Sequence, residues 1–168
     1  MILDAIRLLL FPALMVFAAS SDLLTMTISN RITFGLIGGF FLLAILSGLG
    51  MTEIGSHLGA AAIVLAVTFV CFARGWIGGG DAKLAAATAL WFGFDHLLDY
   101  LLIASVFGGV LTLIVIRVRV LPLPALLERQ DWIKRLHRLD AGVPYGIALA
   151  AAALVVYPHT IWMHSFGM

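Results

Sequence analysis

Apolar residues fall into six runs, at 2–20, 32–49, 58–72, 82–94, 97–118 and 143–162, with short polar breaks between most of them. A run of about 17 to 25 apolar residues is long enough to cross a bilayer as a helix. Such a helix satisfies its own backbone hydrogen bonds, which lipid cannot do. The fourth run holds only about 13 residues, short of that length. It predicts a tilted or partly submerged helix. The one sizeable connector is 121–140, where Pro122 and Pro124 interrupt the preceding helix. Within it Leu126, Trp132, Ile133, Leu136 and Leu139 recur at helical spacing, with Arg129, Lys134, Arg135 and Arg138 between them. That pattern predicts a basic amphipathic helix on an anionic membrane surface rather than a solvated connector. The expected fold is an all-α integral membrane protein. It is a bundle of about six transmembrane helices with one cytoplasmic interfacial amphipathic helix. No internal repeat divides it, so residues 1–168 are read as a single domain.

Composition agrees with a lipid environment. The chain is 62% hydrophobic and 11% charged, and its mean hydropathy is +1.11. A soluble domain is nearer half apolar and a quarter charged. The net charge of +1 says little, but its placement says more. Arg31, Arg74, Lys83, Arg117, Arg119, Arg129, Lys134, Arg135 and Arg138 all fall on one side if all six runs cross, and only Arg7 falls elsewhere. The positive-inside rule makes that side cytoplasmic and both termini non-cytoplasmic. The alternative for the first run is a signal peptide cleaved near Ala18-Ala19-Ser20. Its weak basic start, with Asp4 beside Arg7, and its length argue against that.

The lone Cys71 excludes a disulfide framework or cysteine metal cluster within one chain. His57, His96, His137, His159 and His164 show no ligand spacing, so neither metal nor cofactor is expected. No nucleic-acid partner is expected either. Trp76, Trp91, Trp132 and Trp162 near run ends read as interface anchors. Gly35 and Gly39 form a GxxxG that would let the second helix pack closely.

Candidate chemistry centres on two acids. Asp81 follows Gly78-Gly79-Gly80, and Asp22 follows the first apolar run. Two crossings separate them, which returns both to one face. Peptide hydrolysis by carboxylates needs such a pair. The ionised one takes a proton from water, and the protonated one polarises the scissile carbonyl. Asp22 is expected to end the first helix, and Asp81 to begin the fourth and cap its free N–H groups. Gly78 and Gly80 would supply unusual backbone conformations and leave room for a peptide strand. Either acid alone reads as a helix cap or a solvated boundary residue. Together on one face they read as a functional pair. Lys83 is placed to act on Asp81, to contact lipid phosphate, or to snorkel toward the interface.

Gly78-Gly79-Gly80-Asp81-Ala82-Lys83-Leu84 resembles the GxGD motif of the type IV prepilin peptidases. Asp22, Thr25 and Asn30 resemble that family's first aspartate loop, and Val143-Pro144-Tyr145-Gly146 its proline-containing start of the last helix. The resemblance implies a membrane aspartyl endopeptidase with Asp22 and Asp81 as catalytic pair. It implies an active-site loop of Gly78, Gly79, Gly80 and Lys83, with support from Asn30, Pro144, Tyr145 and Gly146. The substrate it implies is a prepilin precursor, cut at the cytoplasmic face of a bacterial inner membrane. The lipid bilayer and pilus-assembly machinery would be the further partners. Larger members also N-methylate the new terminus, using a cytoplasmic region with cysteine pairs. This chain has one cysteine, and it resembles the short peptidase-only form of tight-adherence (Flp) pilus systems. The first loop departs from the family pattern. It lacks the usual basic residues and proline, which puts leader or lipid contacts there in question. The alternatives are an inactive pilus-assembly scaffold and a small transporter that binds ions through the acids.

Overall fold

The computed structural model describes residues 2–124 and 127–163. Six helices follow in order: α1 Ile2–Thr25, α2 Asn30–Leu46, α3 Met51–Ala73, α4 Gly79–Val120, α5 Asp131–His137 and α6 Gly146–Val156. Single 3₁₀ turns occupy Leu127–Arg129 and Tyr157–His159, and no strand occurs among the described residues. By length and composition α1, α3 and α4 can each cross a membrane, while α2 and α6 are apolar but shorter. Large apolar side chains such as Phe17, Phe34, Ile45, Val67 and Leu98 cover the outside of the bundle. That exterior suits lipid as solvent, and the chain is an integral membrane protein.

The first helix runs one turn further than the apolar pattern suggests, carrying Asp22 inside its last turn. The third begins at Met51, where Glu53 Oε2 accepts the Gly50 N–H at 2.9 Å. α2 stops at Gly48, whose φ of +67° is easy only for glycine, and the Leu49 amide then closes on the Ala44 carbonyl at 2.9 Å.

The fourth and fifth apolar runs are joined in α4, which is broken at Gly93 (φ 59°, ψ −167°). The chain reverses there. Gly80 and Gly146 both lie against Ile28, and Gly108 lies against Tyr145, beside Gly146. In a straight helix residues 80 and 108 would be about 42 Å apart at 1.5 Å per residue. The break also leaves carbonyls at the end of the first half without their helical partners. His57 Nδ1 donates to the Leu90 carbonyl at 2.7 Å, and Trp162 Nε1 donates to the Trp91 carbonyl at 2.8 Å.

Two expected interface anchors are therefore core residues. Trp91 and Trp162 are fully buried, with Trp91 Nε1 donating to the Leu36 carbonyl at 3.0 Å. Their position near run ends misled because Gly93 turns the chain inward around them. Trp76 is exposed. The GxxxG pair does allow close packing of α1 on α2. A Cβ at Gly39 would lie 2.8 Å from Leu10, and one at Gly35 would lie 3.3 Å from Leu14.

The expected amphipathic helix is shorter than its periodicity. α5 ends at His137, and the exposed Leu139 lies beyond it, in a turn closed by Arg138 and Asp140. Leu126 and His164 lie outside the described residues. α5 is tied to the bundle by Arg119 donating to the Leu136 carbonyl (2.8 Å) and Arg135 donating to the Leu24 carbonyl (2.9 Å).

Candidate active site

The last turn of α1, the loop 26–29, the start of α4 and the start of α6 meet at one end of the bundle. Met26 ends α1 in the left-handed region (φ 55°), its amide closing on the Asp22 carbonyl at 2.8 Å. Ser21 and Thr25 then hold the loop through the Thr27 carbonyl, at 2.8 and 3.2 Å. These hydroxyls organise a loop that carries no charged side chain between Asp22 and Arg31.

Asp22 is buried, with 5% of its surface exposed. It sits at the C-terminal end of α1, where the helix dipole disfavours a negative charge. The opposing contribution comes from 124 residues away, where the Gly146 amide in the first turn of α6 donates to Asp22 Oδ2 at 2.7 Å. This contact depends on glycine. A Cβ at position 146 would lie 2.8 Å from both Asp22 Oδ2 and Ile28 Cδ1. Pro144 is buried just before it. The Tyr145 ring lies directly on the backbone of Gly108, where any side chain would collide with it.

Asp81 is not the residue that begins α4. Gly78 is the N-cap and Asp81 stands three residues on. Its carboxylate folds back toward the cap and accepts the Gly78 amide, the reciprocal half of a capping box. A negative charge in a helix's first turn is favoured by the dipole. Asp81 is half-buried and lies within electrostatic reach of Asp22.

The glycine run works differently from the expectation of unusual backbone angles. Gly78 has ordinary extended angles (φ −72°, ψ 146°), and positive φ among the described glycines occurs at Gly48, Gly75 and Gly93. What positions 79 and 80 require is space. A Cβ on Gly79 would meet the Phe72 ring at 3.2 Å, and one on Gly80 would meet Ile28 Cβ at 3.2 Å. Ile28 thus fills the gap between the α4 and α6 starts. The sequence reading passed over it, although an apolar residue in a loop of threonines and serines was a visible signal. Gly108 was also missed, since nothing local marks it as a seat for Tyr145. Lys83 neither pairs with Asp81 nor stands alone. Its Nζ donates to Asn30 Oδ1 at 3.1 Å, joining the starts of α4 and α2.

The arrangement offers two carboxylates from separate helices, each held by a backbone amide at a helix start. Asp81 directly follows the glycine run, and Asp22 lies against Gly146. A model of the type IV leader peptidase family matches residues 9–113, more than half of the chain. The chain belongs to the type IV leader peptidase family. Neither the curated proteins nor the solved structures yield a match. The matched span contains Asp22, Asn30, the glycine run, Asp81 and Lys83, and it ends before Pro144, Tyr145 and Gly146. Membership makes the protein a leader peptidase-like protease embedded in lipid. The α6 contribution to Asp22 is an observation of this structure alone.

Proposed function

We propose that the protein is an aspartic endopeptidase that removes the leader from prepilin-like precursors, with Asp22 and Asp81 as its catalytic pair. The observation that carries this reading is the meeting of the two carboxylates at one end of the bundle, beside the glycine run. The ionised carboxylate takes a proton from water as the water oxygen attacks the scissile carbonyl carbon. The protonated carboxylate donates to the carbonyl oxygen. The tetrahedral intermediate collapses as a proton passes to the departing amide nitrogen. Gly78 leaves the Asp81 carboxylate without a neighbouring side chain, and Gly79 and Gly80 let the start of α4 pack closely on Phe72 and Ile28. Gly146 holds Asp22, Pro144 and Tyr145 fix the start of α6, and Lys83 with Asn30 braces α4 against α2.

In this proposal six helical segments cross the bacterial inner membrane, α4 counting twice because of its reversal at Gly93. The Asp22–Asp81 end faces the cytoplasm, and α5 lies at that interface. The positive charges support this orientation. Arg31, Arg74, Lys83, Arg119 and Arg135 lie on elements that reach the acid end, while Arg7 binds Ser47 (2.7 Å) and meets Tyr157 (2.7 Å) at the other. The terminal helical segments both reach that other end, supporting non-cytoplasmic termini. The single cysteine supports cleavage without N-methylation, and in this proposal the assembly machinery of a tight-adherence (Flp) pilus system takes up the product.

Co-expression with small pilin-like precursors, read by gel shift and mass spectrometry of the new N-terminus, tests the proposal. Loss of general acid–base catalysis costs on the order of 10²–10⁴-fold. Asp22→Asn and Asp81→Asn should therefore each stop detectable cleavage while the protein still inserts. Cleavage that persists in both variants would place the chemistry elsewhere.

A further inference from the structure

α2 and α3 are linked through Gly48 and Gly50 yet barely touch, because both pack on α4 instead. Between them lies an open groove of about 480 Å³, floored by Ala86, Ala87 and Leu90 of α4. Its lining is almost wholly apolar except at the acid end, where Lys83 and Asn30 close it. We infer that this groove binds one phospholipid, its acyl chain lying between α2 and α3 and its phosphate on Lys83 Nζ and the Asn30 amide.

Three observations favour that occupant. The first is polarity, since one cation and one amide stand at the head of an apolar channel, the order of groups in a phospholipid. The second is depth. Along α2 the groove runs from Asn30 to Phe41, about 16 Å at 1.5 Å per residue. That is about half of a ~30 Å hydrocarbon core, the depth of a single leaflet. A membrane-crossing peptide helix would extend well past its end. The third is charge. Lys83 is the one charged residue of the lining, and no acid there would receive a choline or ethanolamine amine. An anionic headgroup is therefore preferred over a zwitterionic one. The inference does not depend on the cleavage chemistry.

The experiment is native mass spectrometry of the full-length protein, purified in detergent and titrated with phosphatidylglycerol or phosphatidylcholine. The expected result is one retained lipid, with phosphatidylglycerol favoured about fivefold, the weight of one lysine beside an anionic headgroup. Lys83→Gln, at an exposed position, should remove that preference. Ala62→Trp, which fills the groove from the exposed side of α3, should abolish retention of both lipids. A photo-crosslinking phenylalanine analogue at the groove-lining position Phe34 should yield adducts of phospholipid mass. Equal retention of both lipids by the wild type would overturn the inference. So would unchanged retention in both variants, or adducts that join two copies of the chain or a peptide in place of lipid.

Discussion

At the end where α1 begins, the bundle is closed by a cluster of packed aromatic rings. Phe11 lies 4.5 Å from Tyr157, Trp91 lies 5.4 Å from Trp162, and Phe40 packs edge-on to Trp162 at 5.6 Å. At the other end the contacts are of another kind. Gly79 meets Phe72, Gly80 meets Ile28, Gly108 meets Tyr145, and the Gly146 amide holds Asp22. The aromatic end draws its cohesion from buried area, which tolerates small displacements in proportion to the area lost. The acid end relies on backbone brought close by glycines, where a single added methyl group forces atoms apart. The comparison separates two demands on one small bundle. One end keeps it folded, and the other brings two carboxylates from separate helices together through close backbone packing.

The largest effect should come from the aromatic end and appear as stability. Trp91 is fully buried, contacts Phe11, Tyr157 and Trp162, and donates to the Leu36 carbonyl. Trp91→Ala should cost about 3–5 kcal/mol, as for other large-to-small core substitutions. Thermal unfolding in detergent checks the loss. Leader cleavage per folded molecule should stay at the wild-type rate, and a large drop in that rate would erase the distinction between the ends.

Gly146→Ala should show the reverse. The new methyl group would lie 2.8 Å from Asp22 Oδ2 and Ile28 Cδ1, so the carboxylate or the α6 start must move. Displacements of about 1 Å at a catalytic group cost roughly 100-fold in rate. The melting temperature should change little. A variant that cleaves normally would show that the α6 contact does not position Asp22.

A third substitution tests the aromatic end on its polar side. His57 supplies the hydrogen bond that the Leu90 carbonyl lost at the Gly93 reversal. His57→Leu keeps the apolar packing against Phe40 and Trp162 but leaves that carbonyl unsatisfied, at a cost of about 1–3 kcal/mol. Thermal unfolding reads the loss, and an unchanged melting temperature would mean that the carbonyl finds another donor.

Much of this division follows from local chemistry, and the part that does not is long-range. Apolar runs of bilayer length declare membrane helices because lipid leaves the backbone no other option. The glycine run and its aspartate are adjacent in the chain, so their association could be read directly. Trp91 and Trp162 were misplaced at the membrane surface because a tryptophan near a run end suits an interface as well as a core. Only the reversal at Gly93 decides between the two. The amphipathic periodicity from Leu126 to Leu139 overstated α5 at its C-terminal end, because the Arg138–Asp140 turn competes with the helix there. The resemblance pointed to Tyr145 and Gly146, but the bond from the Gly146 amide to Asp22 and the seat on Gly108 were not legible. Each depends on a partner far along the chain, at least 37 residues away for Tyr145 on Gly108 and 124 for Gly146 on Asp22.

The smallest effect is the most diagnostic of how the acid end is built. A Cβ at Gly80 would lie 3.2 Å from Ile28 Cβ and 3.4 Å from its amide nitrogen. Gly80→Ala therefore pushes the loop 26–29 by a few tenths of an ångström rather than blocking the site. Helix propensity favours the alanine by about 1 kcal/mol, so stability should hold or rise. Cleavage should fall by roughly tenfold, because a displacement below 1 Å costs less than the 100-fold typical of a full ångström. Ile28→Gly removes the Cβ and Cγ1 atoms that the new methyl group meets. In the Gly80→Ala background it should restore most of the lost rate without raising the melting temperature. Rescue of that kind distinguishes steric spacing from a requirement for glycine's backbone freedom at position 80, which Ile28→Gly cannot supply. If the double variant stays as slow as Gly80→Ala, the loss comes from the backbone at position 80. The space between Gly80 and Ile28 would then not be what keeps the Asp22 and Asp81 carboxylates in register.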